Sequence, residues 1–88
     1  MIEQTNHDFD PNAFSTLRKI VSAILGIPSS EIESDHRFVE DLGADSLAMY
    51  EIRSAVEDKF NLLIPDNDVV HLSTIRSIAT YIAQKDID

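Results

Sequence analysis

Asp41-Leu42-Gly43-Ala44-Asp45-Ser46-Leu47 sets an aspartate–serine pair where an aperiodic stretch gives way to an amphipathic one. Asp45 is a good helix N-cap. Behind it Leu47, Met49, Tyr50, Ile52, Ala55, Val56 and Phe60 supply a broad apolar face, while Glu51, Arg53, Glu57, Asp58 and Lys59 lie mostly off it. The pattern predicts a helix from Asp45 to about Phe60, with Asn61 suited to its end. Ser46 then stands at the helix mouth with acids on both sides and no catalytic partner in view. A serine that is presented but not activated is suited to being modified rather than to attacking.

Upstream, Asp10-Pro11 has the chemistry of a helix start, Asp10 as N-cap and Pro11 at the first helical position. Phe14, Leu17, Ile20, Val21, Ile24 and Leu25 follow at spacings of three and four and make one apolar stripe. Gly26 and Pro28 stop that helix. Residues 27–44 hold no sustained period, with Ile32, Phe38, Val39 and Leu42 as isolated anchors and a short helical turn expected around Ser30 to Ser34. An ordered loop this long in a small domain is usually functional.

Downstream, Pro65-Asp66-Asn67-Asp68 opens a short helix through Val69, Val70 and Leu72. Ser73 or Thr74 caps the last helix, whose stripe is Ile75, Ile78, Ala79 and Ile82. The expected organisation is a flexible tail over residues 1–9, one all-α domain over 10–84 and a frayed end over 85–88. It contains three longer helices, one short helix, and a long loop between the first and second. Periodicity does not reveal how they sit in space.

Composition agrees. An 88-residue chain is one small domain, and at that size it buries only roughly 60% of its unfolded surface. It has no cysteine, so no disulfide or thiolate zinc site supports it. The 16 acidic against 7 basic residues give a net charge of −9, which repels nucleic acid and anionic membrane and favours basic protein surfaces. Excess acid also confers solubility, and that is the plainer reading. The polar, acidic first ten residues resemble neither a secretory signal nor an Arg-rich presequence, which makes cytoplasmic placement the default.

Autonomous serine catalysis is a poor fit. A nucleophilic serine needs an adjacent base and an oxyanion hole. His7 falls in the tail, and nothing in the sequence brings His36 or His71 to Ser46. The Gly-x-Ser-x-Gly elbow is absent, since Gly43 is one residue too far upstream and Ala48 stands where the second glycine belongs. Asp8, Asp10 and Asn12 open like a calcium loop, but Ala13 and Lys19 fill its glycine and terminal acid positions. No metal site is expected.

Serine is common at helix starts for capping alone, so the surrounding string decides. Phe38-Val39-Glu40-Asp41-Leu42-Gly43-Ala44-Asp45-Ser46-Leu47 resembles the attachment loop of acyl carrier proteins. Glu51 and Val56-Glu57-Asp58-Lys59-Phe60 resemble that family's second helix. Ile64-Pro65-Asp66, Thr74-Ile75 and Tyr81-Ile82 resemble its third and fourth helices with their entry turns. The likeness spans Phe14 to about Ile82, and Gly43-Ala44 before the pair looks like the discrete fatty-acid type.

The resemblance implies a four-helix bundle with a long first loop. It implies that a phosphopantetheinyl transferase, using coenzyme A and magnesium, places 4′-phosphopantetheine on Ser46, whose terminal thiol then holds acyl groups as thioesters for delivery to enzymes of fatty acid, specialised lipid or polyketide synthesis. By the same likeness Asp45 helps the transferase hold its metal and Leu47 anchors the transferase contact. Glu51, Glu57, Asp58 and Arg53 belong to the face that docks on basic patches of partner enzymes. Phe38, Leu47, Ile52, Val56, Ile64 and Ile75 are candidates to line an acyl cavity, with ordinary core packing as the alternative for each. A monomer that performs no chemistry itself is expected.

Three residues depart from the family pattern. Ala48 stands where an acid is frequent, Arg53 where an apolar residue is usual, and Ser54 where Met is frequent. They point to a carrier for a dedicated cargo. An aminoacyl or peptidyl carrier and an unmodified helical interaction domain are the alternatives. The retained Asp45-Ser46-Leu47 argues against the last.

Overall fold

In the computed structural model, which describes residues 11–87, every regular element is helical. Helix α1 spans Pro11–Leu25, α2 Ser46–Phe60, α3 Asp66–Val69 and α4 Ile75–Ile87, with one 3-10 turn at Ser29–Glu31 inside the long loop. This is the all-α arrangement of three longer helices and one short one that the periodicity implies. The expected Asp10 cap, His7 and the acids at positions 8 and 10 lie outside the described residues.

Each boundary has a local cause. Gly26 at φ +73° donates its N–H to Ser22 O at 2.9 Å and closes α1. Asn61, at φ 56° and ψ 52°, closes α2 in the left-handed conformation and donates to Glu57 O. Of the two candidate caps for α4, Thr74 is the one used. Its Oγ1 accepts Ser77 N–H at 3.0 Å while Ser77 Oγ accepts Thr74 N–H at 3.0 Å. That reciprocal pair has the logic of a capping box with serine in place of glutamate. Two boundaries differ from expectation. α3 is a single turn that ends before Val70, and α4 extends to Ile87, past residue 84 where the expected domain ends.

The core forms where the stripes meet. α1 packs against both α2 and α4. Leu17 and Val21 from α1, Ile52 and Val56 from α2, and Ile75 and Ile78 from α4 are all buried, joined by Phe38, Ile32 and Ile64 from the connections. Full burial of one such side chain contributes about 1.5–3 kcal/mol, so these few residues dominate the stability.

The broad apolar face read for α2 is only partly a core face. Ile52 and Val56 are buried, but Leu47 and Tyr50 are 65% and 64% exposed. The seven apolar residues wrap too far round the helix to share one buried stripe.

α3 buries no residue fully. Polar struts hold it instead. From α2, Arg53 donates to Asp66 Oδ1 at 2.7 Å and to Ile64 O, and lies 3.6 Å from Glu57, whose Oε2 accepts Ile64 N–H at 2.8 Å. From α4, the Tyr81 hydroxyl donates to Asp68 Oδ2 at 2.7 Å.

Candidate functional site

The long loop presents Ser46 because the loop is fastened at both ends. Phe38 is 1% exposed and plugs into the core. Its N–H donates to Ser73 O at 2.9 Å and its carbonyl accepts Ala44 N–H at 2.8 Å. Arg76 ties the same loop to the start of α4, with its N–H on Ser34 O at 3.0 Å and its Nε on Asp35 Oδ1 at 2.6 Å. That hydrogen bond holds the Asp35 carboxyl below its ordinary pKa. Within the turn, Asp41 Oδ2 accepts the Arg37 backbone N–H at 2.8 Å and Arg37 Nε at 3.3 Å. The backbone N–H is the larger cause of Asp41's lowered pKa.

Gly43 turns the chain from this knot into α2. It sits at φ +75°, where side chains with a Cβ are strained, yet a Cβ there would meet nothing within 4 Å. Glycine is therefore needed for its backbone, not for space. Asp45 follows in extended conformation, and its Oδ1 accepts Ala48 N–H at 2.8 Å. With Asp45 spent as the cap, Ser46 becomes the first helical residue, exposed at the positive end of the helix dipole.

Beside Ser46 lies an open groove of about 520 Å³, lined by Val39, Ala44, Asp45, Ser46, Met49, Tyr50, Arg53 and Val69. Ser46, Met49, Tyr50 and Arg53 fall at steps of three and four along α2 and so share one face. Arg53 is the last of them, about 10 Å along the helix axis from Ser46 at 1.5 Å per residue. The walls are mostly apolar, and Val39 and Tyr50 remain more than half exposed. A phosphodiester on Ser46 would meet the helix N-terminus, and the arm beyond it this apolar channel.

The residues expected at the site fall into separate places. Phe38, Ile52, Val56, Ile64 and Ile75 are all within 2% of complete burial and belong to the packed core. Leu47 is on the surface, where it borders a second, smaller depression with Ile24, Leu25, Gly43, Asp45, Ala48 and Glu51. Glu51 and Asp58 are exposed, seven residues apart on one face of α2. Glu57 and Arg53 are engaged with each other and with the segment before α3.

Neither described histidine lines the groove. His36 Nδ1 accepts Glu33 N–H at 3.0 Å within the loop, and His71 lies exposed after α3. Among the described residues, no group of three or more His, Cys, Asp or Glu is placed to hold a metal. No helix among them is long and apolar enough to cross a membrane.

Val39, Ala44, Met49, Tyr50 and Val69 are the groove residues to which sequence reasoning gave no site role. Met49 and Tyr50, three and four residues after Ser46, carried a usable signal through their shared helical face. Val69, from a separate element, carried none.

The chain is similar to known proteins over most of its length. Residues 15–82 match the model of the family described as phosphopantetheine attachment site. The acyl carrier protein of Acidothermus cellulolyticus is 40% identical over 67 residues, which cover 76% of this chain and 80% of that protein. A meromycolate extension acyl carrier protein of Mycobacterium leprae is 42% identical over 66 residues, 75% of this chain and 57% of that one. The solution structure of the HMG-ACPI domain from the CurA module of Lyngbya majuscula superposes with a TM-score of 0.78 at 28% identity, covering 97% of this chain and 85% of that one.

Proposed function

The chain belongs to the phosphopantetheine attachment site family, and we propose that Ser46 is the residue through which it carries its arm. It is an acyl carrier protein in function, a non-enzymatic carrier for fatty acid or polyketide synthesis, with 4′-phosphopantetheine as its cofactor. The arm's terminal thiol supplies the thioester chemistry. The observation that supports Ser46 most directly is its place: first residue of α2, exposed, behind an aspartate cap and at the head of an apolar groove.

At attachment, Ser46 Oγ forms a bond to the β-phosphorus of coenzyme A. The pyrophosphate P–O bond breaks, adenosine 3′,5′-bisphosphate leaves, and the hydroxyl proton passes to a base of the transferase. Asp45 offers a carboxylate beside that oxygen, suited to the transferase's magnesium, and exposed Leu47 offers the apolar contact.

The carrier meets a phosphopantetheinyl transferase and the biosynthetic enzymes that use its cargo. For those encounters the docking face is Glu51 and Asp58, which are free to meet basic patches; Glu57 and Arg53 border it while bracing the segment before α3. Charge attraction of this kind speeds encounter more than it tightens the complex, which suits a carrier that must leave each enzyme quickly. The working form is a cytoplasmic monomer.

The test is intact mass after incubation with coenzyme A, magnesium and a broad-specificity transferase, beside Ser46→Ala. A gain of one phosphopantetheine in the native chain and none in the variant is expected. A gain in Ser46→Ala, or none in the native chain with a transferase that modifies a control carrier, rejects the assignment.

A further inference from the structure

The groove at Ser46 is lined at one end by Arg53. Its guanidinium stands at the far end of the groove and bonds to Ile64 O and Asp66 Oδ1. Glu57, 3.6 Å from Arg53, accepts the N–H of the same Ile64 at 2.8 Å. Both backbone groups of Ile64 are thus fixed to α2, and its side chain belongs to the same buried core as Ile52 and Val56.

We infer that Arg53 is a specificity-determining residue that seals the passage between α2 and the segment before α3, so that this carrier holds short acyl groups in the surface groove and leaves longer chains in solvent. The inference rests on the carrier reading above. A chain entering the core must part Ile64 from α2. That would take from Arg53 and Glu57 their bonds to Ile64 in a place only about a quarter exposed, a loss that apolar contact must first offset. An apolar side chain at position 53 has no such partners, and the same opening would expose only hydrocarbon to hydrocarbon.

The experiment loads the full chain with acetyl, butyryl, octanoyl and dodecanoyl phosphopantetheine by transferase from the corresponding acyl-coenzyme A. It then measures thioester cleavage by neutral hydroxylamine and thermal melting. The native carrier should lose octanoyl and dodecanoyl groups within twofold of the butyryl rate, with no rise in Tm along the series. Arg53→Val should cleave octanoyl several-fold more slowly than acetyl and melt higher as the chain lengthens. Arg53→Met, which keeps the packing of the side-chain stem, serves if Arg53→Val does not fold. Several-fold protection of octanoyl in the native protein overturns the inference, as does an unchanged cleavage pattern in a folded variant. Failure of the native chain to load at all overturns the carrier reading and this inference with it.

Discussion

Asp45 caps α2, and in the proposed attachment it also serves the transferase; substitution can separate the two. Its Oδ1 accepts the Ala48 N–H at 2.8 Å and so caps α2. Its charge lies next to Ser46, where the proposed attachment would bring the transferase's metal. Replacing an Asp cap with Ala costs about 1 kcal/mol, and in a domain of this size each kcal/mol moves Tm by about 4–8 °C. Asn keeps the acceptor oxygen and loses only the attraction of a carboxylate for the helix dipole, about 0.5 kcal/mol at an exposed terminus. Asp45→Ala should therefore melt about 4–8 °C lower than the native chain, and Asp45→Asn roughly half as far. Phosphopantetheinylation should behave differently. Both variants lack the carboxylate, so both should be modified at least tenfold more slowly, read as a time course of intact mass. If Asp45→Asn melts as low as Asp45→Ala, the cap is not the source of stability. If Asp45→Asn is modified at the native rate, the carboxylate has no part in the reaction and exposure of Ser46 suffices.

Other substitutions test the presentation of the site. Phe38→Ala removes a side chain that is 1% exposed and should cost about 3–5 kcal/mol by urea titration, a large share of what an 88-residue domain has. Gly43→Ala meets no clash and should cost only the strain of a left-handed residue, about 1–2 kcal/mol, with slower modification as Ser46 shifts. Tyr81 is pushed up to about 12 by burial and by its bond to Asp68, above an ordinary value of 10. Between those pH values the unfolded chain binds fewer protons than the folded one, so the contribution is whole below pH 10 and lost as pH rises toward 12. Tyr81→Phe should cost about 1 kcal/mol at neutral pH and show a flatter decline in alkali; an equally steep decline would refute that source.

What was legible in the sequence is what local chemistry determines. The stripe of α1, the Asp45 cap, Gly26 and Asn61 each act within a few residues, and each element begins or ends where they stand. The same holds for Ser46, whose exposure follows from being the residue after a cap. α3 was less legible because one turn has too few residues to show a period. Its position depends on Arg53 and Tyr81, each 13 residues from the partner it holds. The last turn of α4 was less legible because its terminal residues are mostly charged and continue no apolar stripe, although Lys85 Nζ lies 5.2 Å from the Tyr81 ring centroid, a local cation–π contact that favours that turn.

The groove shows why an exposed serine behind a cap is easier to read than the surface around it. Tyr50 and Met49 are apolar residues on an amphipathic helix, and the default for such residues is core. They line a groove instead because the helix facing them there, α3, is one turn long and covers little. Arg53 reverses the case. A charge in mid-helix reads as solvated surface, yet this one is drawn inward by a carbonyl eleven residues on and a carboxylate thirteen residues on. Both misreadings have one physical origin, the shortness of α3: it leaves apolar side chains of α2 uncovered beside Ser46, and it requires a polar clamp where a longer helix would have packed by its apolar face. The groove and the clamp at its end both follow from a helix of one turn.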